Sequence, residues 1–429
     1  MKRKQRNLLF AGLLILGIGA TGRIVAQSDD ARAPAADKAE VERLRQEVAA
    51  LKAATEKLEA KLNAIEAQPA TAPAPVAEAP TSASGTTKFL LAGYATGGYS
   101  SATGEGGGFG VQFSPVFIWK MSDRILFESE VELRQSGGSS EVNMEYAELS
   151  VVLNPYMNLG MGKFLTPFST FQQRYHPAWI SRSIDKPVFG MDPFIQFPES
   201  TLGLTLSGGI PMGDARLRYA VWAGNGPSLN TSPEDAGTLA WDPEVARYYN
   251  RDNRSYGAHL WVVPVPEFTI GAAIQSGYMS GAALPVPQDR VSFRQVEVDG
   301  LMHLDKDWLK GVLDLRGEVL RMKVDNLDYG FGPVFDNTRG GGYGQFAYRP
   351  SKMDSFIRNW EFVTRYDWAT MPDGDPNQYN ESRWTVGFNY YLAGSTSIKT
   401  AYRFDSINHD ASATRQAQNG LLVAFAVGF

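Results

Sequence analysis

Charged residues recur at every second position in several stretches of this chain: Glu128, Glu130 and Glu132; Arg216 and Arg218; Asp314, Arg316 and Glu318. Alternate residues share a face only in extended strands, so each group reads as a charged row on one side of a strand. Arg365 and Arg403 sit among acids in the same way. Walls of opposite sign facing each other across water set up a transverse field that orders water and sorts polar solutes. The other reactive residue types form no constellation. His176, His259, His303 and His409 lie on separate segments, so no Ser-His-acid arrangement follows from spacing. With no Cys and no His pair there is no zinc pattern. Asp373, Asp375 and Asn377, with Glu381 beyond, are spaced like alternate calcium ligands, but the Gly at the sixth position and the Glu at the twelfth are missing. A polar loop is the better reading there. Gly-rich residues 104–110 and 340–344 match no phosphate-cradling fingerprint and read as hairpin loops or strand ends. The expectation is a chain without catalysis and without a cofactor.

Rows of this kind need strands to carry them, and the chain supplies them from about Lys88 to Phe429. Leu421, Val423, Phe425, Val427 and Phe429 alternate with Gly420, Leu422, Ala424, Ala426 and Gly428. Trp384, Val386, Phe388, Tyr390 and Leu392 oppose Arg383, Thr385, Gly387, Asn389 and Tyr391. Trp360, Phe362, Thr364, Tyr366 and Trp368 oppose Glu361, Val363, Arg365 and Asp367, and Ile398, Thr400, Tyr402 and Phe404 oppose Lys399, Ala401, Arg403 and Asp405. Segments of this kind start near Leu90, Phe109, Ile125, Val142, Tyr156, Thr201, Ala215, Ser255, Phe268, Val291, Gly311, Gly341, Ile357, Arg383, Ser397 and Gly420, about sixteen in all. Alternation also suits a soluble half-buried sheet. Three features favour an all-β transmembrane barrel of about 16 antiparallel strands. The apolar faces end in Trp, Tyr and Phe, as membrane-interface girdles do. No helical period interrupts the series. A β domain of this length also exceeds a common sandwich. In lipid every backbone donor and acceptor needs a partner, so the last strand must pair with the first, near Phe89 to Tyr99. Sixteen strands enclose a water-filled lumen.

Ahead of the barrel the sequence reads as three shorter regions. Residues 1–26 form a secretory signal peptide, with cationic Lys2, Arg3, Lys4 and Arg6, then an apolar run over 8–18 too short for a membrane span. Cleavage fits after Gly22 or after Ala26. Removing the signal's basic residues, Arg23 included, takes the formal charge from −5 to about −10, which argues against nucleic acid as a partner. Residues 38–67 carry a heptad seam, with Val41, Val48, Thr55 and Leu62 at a and Leu44, Leu51, Leu58 and Ile65 at d, which reads as a short α-helical coiled coil. A lone amphipathic helix lying on the barrel or on peptidoglycan is the alternative, and the number of strands in the coil is open. Residues 68–87 form a Pro/Ala-rich spacer.

The alternating last strand with its terminal Phe429 resembles the outer-membrane porins, whose last strand ends in an aromatic residue read by the barrel-assembly machinery. The order of signal, coil, linker and barrel is similar to the phosphate-selective-type (O/P) porins and related trimeric porins. That resemblance implies a homotrimer in outer-membrane lipid of a Gram-negative cell, with the coil in the periplasm and passive diffusion of small hydrophilic solutes. Alternatives are a channel specific for anionic or sugar-like solutes, and a structural barrel tethering the outer membrane to peptidoglycan. No one-sign ladder of Arg and Lys is evident, so phosphate is not carried over. Residues 166–198 form the longest early interruption, with aromatics Phe168, Phe171, Tyr175, Trp179, Phe189 and Phe194 and charges Arg174, Arg182, Asp185 and Lys186. So apolar a loop is costly to leave in solvent, and it reads as a constriction loop folded into the pore. The alternative is an external loop packed over the mouth or against a neighbouring subunit.

Overall fold

In the computed structural model the described residues are 88–103, 106–191, 197–229, 239–240, 253–281, 288–326, 328, 330, 334–354, 356–374, 379–409 and 419–429. The signal, coil and linker expected before residue 88 lie outside the described residues. Sixteen strands close into one antiparallel barrel. They are β1 Lys88–Ala102, β2 Gly106–Lys120, β3 Ile125–Ser136, β4 Ser139–Asn154, β5 Met157–Leu165, β6 Ser200–Met212, β7 Ala215–Asn225 and β8 Arg254–Val265. The second half is β9 Phe268–Gly281, β10 Gln288–Lys306, β11 Gly311–Val324, β12 Thr338–Arg349, β13 Trp360–Thr370, β14 Tyr379–Ala393, β15 Thr396–His409 and β16 Gly420–Gly428. A two-residue ladder, Ser228–Leu229 with Leu239–Ala240, lies outside the barrel sheet.

Each strand pairs with its sequence neighbour, and β1 closes on β16, from Tyr94 opposite Gly428 to Ser100 opposite Leu422. Gly93 and Phe429 exchange both backbone hydrogen bonds at 3.0 Å, which finishes the seam. Gly93 has a φ of +151°, and a Cβ there would stand 2.4 Å from the Ser114 carbonyl; only glycine fits. The Phe429 ring then stacks on Phe113 at 5.8 Å. The terminal aromatic therefore packs across the first hairpin as well as ending the chain.

Burial runs opposite to that of a soluble protein. On β13, Glu361, Arg365 and Asp367 are buried, whereas Trp360 on the other face is 41% exposed. Large apolar side chains face outward around the barrel, and the buried residues they alternate with include most of its buried polar and charged side chains. Exposed aromatics gather towards both rims: Phe89, Trp119, Tyr156, Trp308 and Trp360 at the end holding Lys88 and Phe429, and Phe109, Tyr256, Tyr278, Trp384 and Phe404 at the other. A surface of this kind is stable in hydrocarbon between two polar interfaces. Connections at the end holding Lys88 and Phe429 are mostly short, at 121–124, 155–156, 213–214, 266–267 and 394–395. The opposite end carries the longer ones, including residues 166–199.

Candidate functional site: the inward loop and the lumen walls

Residues 166–191 leave β5 and turn into the barrel, and residues 197–199 lead back to β6. The ends are tied by the Thr166 amide donating to the Glu199 carbonyl at 3.1 Å and by Thr166 and Thr201 hydroxyls 2.7 Å apart. Apolar side chains drive the inward turn. Phe168, Phe171, Val188, Phe189 and Phe197 bury against Phe164, Trp222, Leu320, Tyr343 and Met371 in an apolar cluster inside the barrel. Gly341 on β12 makes room for this, since a Cβ there would lie 2.6 Å from the Phe189 Cβ. Thus one glycine of the 340–344 run sits inside a strand as a packing site and not in a hairpin loop.

Beyond the π-helical turn Phe171–Tyr175, the loop is held to the wall of β11 and β13–β15 mainly by charge. Arg316 is paired with Asp314 and stacks over Tyr175 at 4.0 Å. Lys399 donates to the carbonyls of Ala178 and Ser181. Arg182 pairs with Glu361 at 2.6 Å and donates to the Tyr391 hydroxyl at 2.8 Å. Asp185 accepts from Arg365 at 3.0 Å and from Arg383 at 3.2 Å, and Arg365 also donates to the carbonyls of Asp185 and Lys186. Arg365 is paired further with Asp367, and Arg383 with Asp405 and Glu381. Burial alone would raise the Asp185 carboxyl, but the Arg365 and Arg383 guanidiniums outweigh it and hold the group below the usual carboxylate range. Arg365, Arg383 and Lys399 are buried, Arg182 and Arg316 are half-buried, and each is engaged by groups of the protein.

The opposite wall differs. β3 and β4 bring Glu128, Glu130, Glu132, Glu141, Glu145 and Glu148 to the lumen, with Arg134 the cation among them. Between this wall and the loop lies a cavity of about 540 Å3, lined by Thr96, Gln112, Glu132, Arg134, Glu141 and Glu145 on the strand side and His176, Lys186 and Glu199 on the loop side. Within it Glu132 pairs with Arg134 at 2.6 Å, and Lys186 with Glu199 at 2.5 Å. Burial and the nearby Lys186 ammonium push the His176 imidazole down to about 4, so it adds no charge at neutral pH. Glu130 accepts from the Tyr94 hydroxyl at 2.7 Å, and Glu145 from Gln172 at 2.9 Å.

The structure gathers most of the residues singled out by spacing, though into separate groups. Arg182, Asp185, Arg316 and Arg365 belong to the loop clamp, with Glu318 accepting from the Phe171 amide at 3.0 Å. Arg403 is on the same wall, 3.9 Å from Asp405. Glu128, Glu130, Glu132 and Lys186 belong to the acidic side. Arg216 and Arg218 line a second cavity, of about 680 Å3, near the rim of β6 and β7. There Arg218 and the loop's Arg174 both stand 5.2 Å from the Trp261 ring. Spacing did not single out Arg383, Lys399, Glu361 or Asp405, although each sits on the charged face opposite an aromatic row.

No family model matches the chain, and no curated protein matches it. Solved structures do resemble it. The anion-selective porin from Comamonas acidovorans aligns with a TM-score of 0.52 at 10% identity, over 80% of this chain and 100% of that one. OmpF of Salmonella typhi, in complex with daunomycin, aligns at 0.52 and 12% identity over 80% and 98%. The outer membrane channel DcaP of Acinetobacter baumannii aligns at 0.52 and 10% over 80% and 97%. The chain therefore has the closed sixteen-strand fold of outer-membrane porins and channels.

Proposed function

We propose that this protein is a porin of the outer membrane, a passive diffusion channel for small hydrophilic solutes. The observation that carries the reading is the loop of residues 166–199 clamped inside the lumen, which narrows a water-filled barrel without filling it and leaves a charged cavity beside it. Arg174, Arg182, Asp185, Lys186, Arg216, Arg218, Glu128, Glu130, Glu132, Arg316, Glu318, Arg365 and Arg403 are the pore candidates, in two roles. The clamp residues shape the constriction, and the glutamates of β3 and β4 face the solute. Ions meeting this wall, where glutamates outnumber Arg134, are sorted in favour of cations. Along the wall behind the loop, Arg182, Arg316, Arg365 and Arg383 are already paired with carboxylates, which speaks against an anion-specific or phosphate-selective path there. The assembly we propose is a homotrimer, with Phe429 as the signal for barrel assembly and residues 38–67 as a periplasmic coiled coil near peptidoglycan.

Liposome swelling tests the reading. Proteoliposomes holding the folded, heat-modifiable protein should swell in small sugars and amino acids at rates that fall with solute size. Folded protein that gives no swelling with any solute would overturn the channel and favour the tether.

A further inference from the structure

His259 on β8, and Glu297 and Asp299 on β10, come together inside the barrel wall although a whole strand, β9, separates them. We infer that these three side chains hold one divalent cation of the zinc class, which fastens the first turn of the inward loop.

Register and residue size bring the three together. Ala273 of β9 lies opposite both His259 and Glu297, and Gly271 opposite both Trp261 and Asp299. A Cβ on Gly271 would stand 2.1 Å from the Asp299 Oδ2 and 2.8 Å from the His259 Nε2. The small residues of β9 therefore let the long side chains of its neighbours meet above it. All three are buried, and their ligand atoms lie within 4.8 Å of one another.

Hydrogen bonding fixes which imidazole nitrogen is offered. His259 Nδ1 lies 2.8 Å from the Pro167 carbonyl, which can only accept, so Nδ1 carries the proton. In the neutral ring the Nε2 lone pair then points at Asp299 Oδ2, 2.9 Å away, and Glu297 Oε2, 3.5 Å away. A lone pair facing two carboxylates is repulsive unless a cation or a proton lies between them. A doubly protonated His259 would satisfy Asp299, but both oxygens of Glu297 have no hydrogen-bond partner at 1% exposure. A divalent ion on one imidazole and two carboxylates neutralises the whole set and gives the bare oxygens their partner. The cross-strand neighbour of Asp299 is Glu318, which adds further negative charge. Arg174 and Arg218 stand over the Trp261 ring, each 5.2 Å from its centre. One N and two O donors suit Zn2+, with Mn2+ the weaker alternative. Through Nδ1 the same imidazole orients Pro167, an outer-shell contact of the usual kind, so the ion would tie the loop's start to the wall.

The test is direct metal analysis of the folded full-length protein. After chelation and desalting, the protein is offered Zn2+ alone, and bound metal is measured by mass spectrometry and calorimetry beside Glu297→Gln and His259→Gln variants. Heat-modifiable migration confirms that each variant is folded. The inference predicts one Zn2+ per chain in the wild type, with affinity reduced at least tenfold in either variant. It is overturned if the folded wild type retains no stoichiometric Zn2+, and equally if folded variants bind it as tightly as the wild type. The wild-type stoichiometry decides the matter even where a variant fails to fold.

Discussion

On β13–β15, Arg365, Arg383 and Lys399 end against the inward loop; on β3 and β4, Glu132, Glu141 and Glu145 end against a cavity. Along the chain the two sets are alike, charges at alternate positions opposite a row of apolar side chains. Their difference lies in what covers them. The cations of β13–β15 are engaged by Asp185, by loop carbonyls and by Asp367, Glu381 and Asp405 of the strands themselves, whereas the loop faces the acidic wall with a neutral imidazole and a lysine already paired with Glu199. A lumen with both signs in its sequence is thereby left with acid as the dominant sign in the cavity beside the loop. The sign of a pore follows from which charges remain unpaired, more than from how many are present.

The largest expected effect comes from removing the clamp. Asp185→Ala removes the loop's carboxylate from Arg365 and Arg383, which keep Asp367, Glu381 and Asp405; the loss costs about 1–3 kcal/mol and frees the loop. Lower resistance to heat or urea, larger and noisier openings and a drift towards anion passage should appear together. Wild-type stability in this variant would show that the clamp carries little of the loop's attachment. Next, Gly341→Ala drives a methyl into Phe189 and should cost about 1–3 kcal/mol by overpacking, read in urea unfolding, with ion preference moving in the same direction as for Asp185→Ala. Acid separates the walls differently. A carboxyl depressed by folding stabilises above its unfolded value and loses that contribution only as pH falls through the folded one. Asp185 should therefore hold the loop at about pH 4, the ordinary carboxylate range, and loop-release noise should set in below it. Noise beginning well above that pH would contradict the pairing. The smallest effect is on the open wall. Glu141→Gln removes a charge that acts through water, worth about 0.5 kcal/mol at roughly 8 Å, or roughly a twofold fall in cation-to-anion permeability with stability unchanged.

Much of the barrel was legible because a strand's period of two survives in the sequence whenever one face is lipid and the other water. Strand starts at Ile125, Ala215, Phe268, Gly311 and Gly420 coincide with those read from alternation, and the largest offset, Arg383 against Tyr379, falls where polar residues open the strand. The inward turn of residues 166–199 was legible too, from the cost of exposing so many aromatics. The pairings were not. Asp185 and Arg365 stand 180 residues apart, and nothing local couples them. The same holds for His259, Glu297 and Asp299, which meet only because the register of three strands aligns them over Gly271. Arg383 and Lys399 were visible as charged positions on the lumen face, but their use as loop anchors depends on a tertiary fold that strand periodicity does not encode.

The most direct test of the account is the reversal potential of single channels in a planar bilayer under a KCl gradient at neutral pH. The excess of glutamates over arginine on β3 and β4 predicts a potential of the sign set by potassium passing more readily than chloride, with Asp185→Ala moving it towards zero. A wild-type potential of the opposite sign would mean that the arginines of β13 and β14 face the solute after all, and that the loop does not cover them.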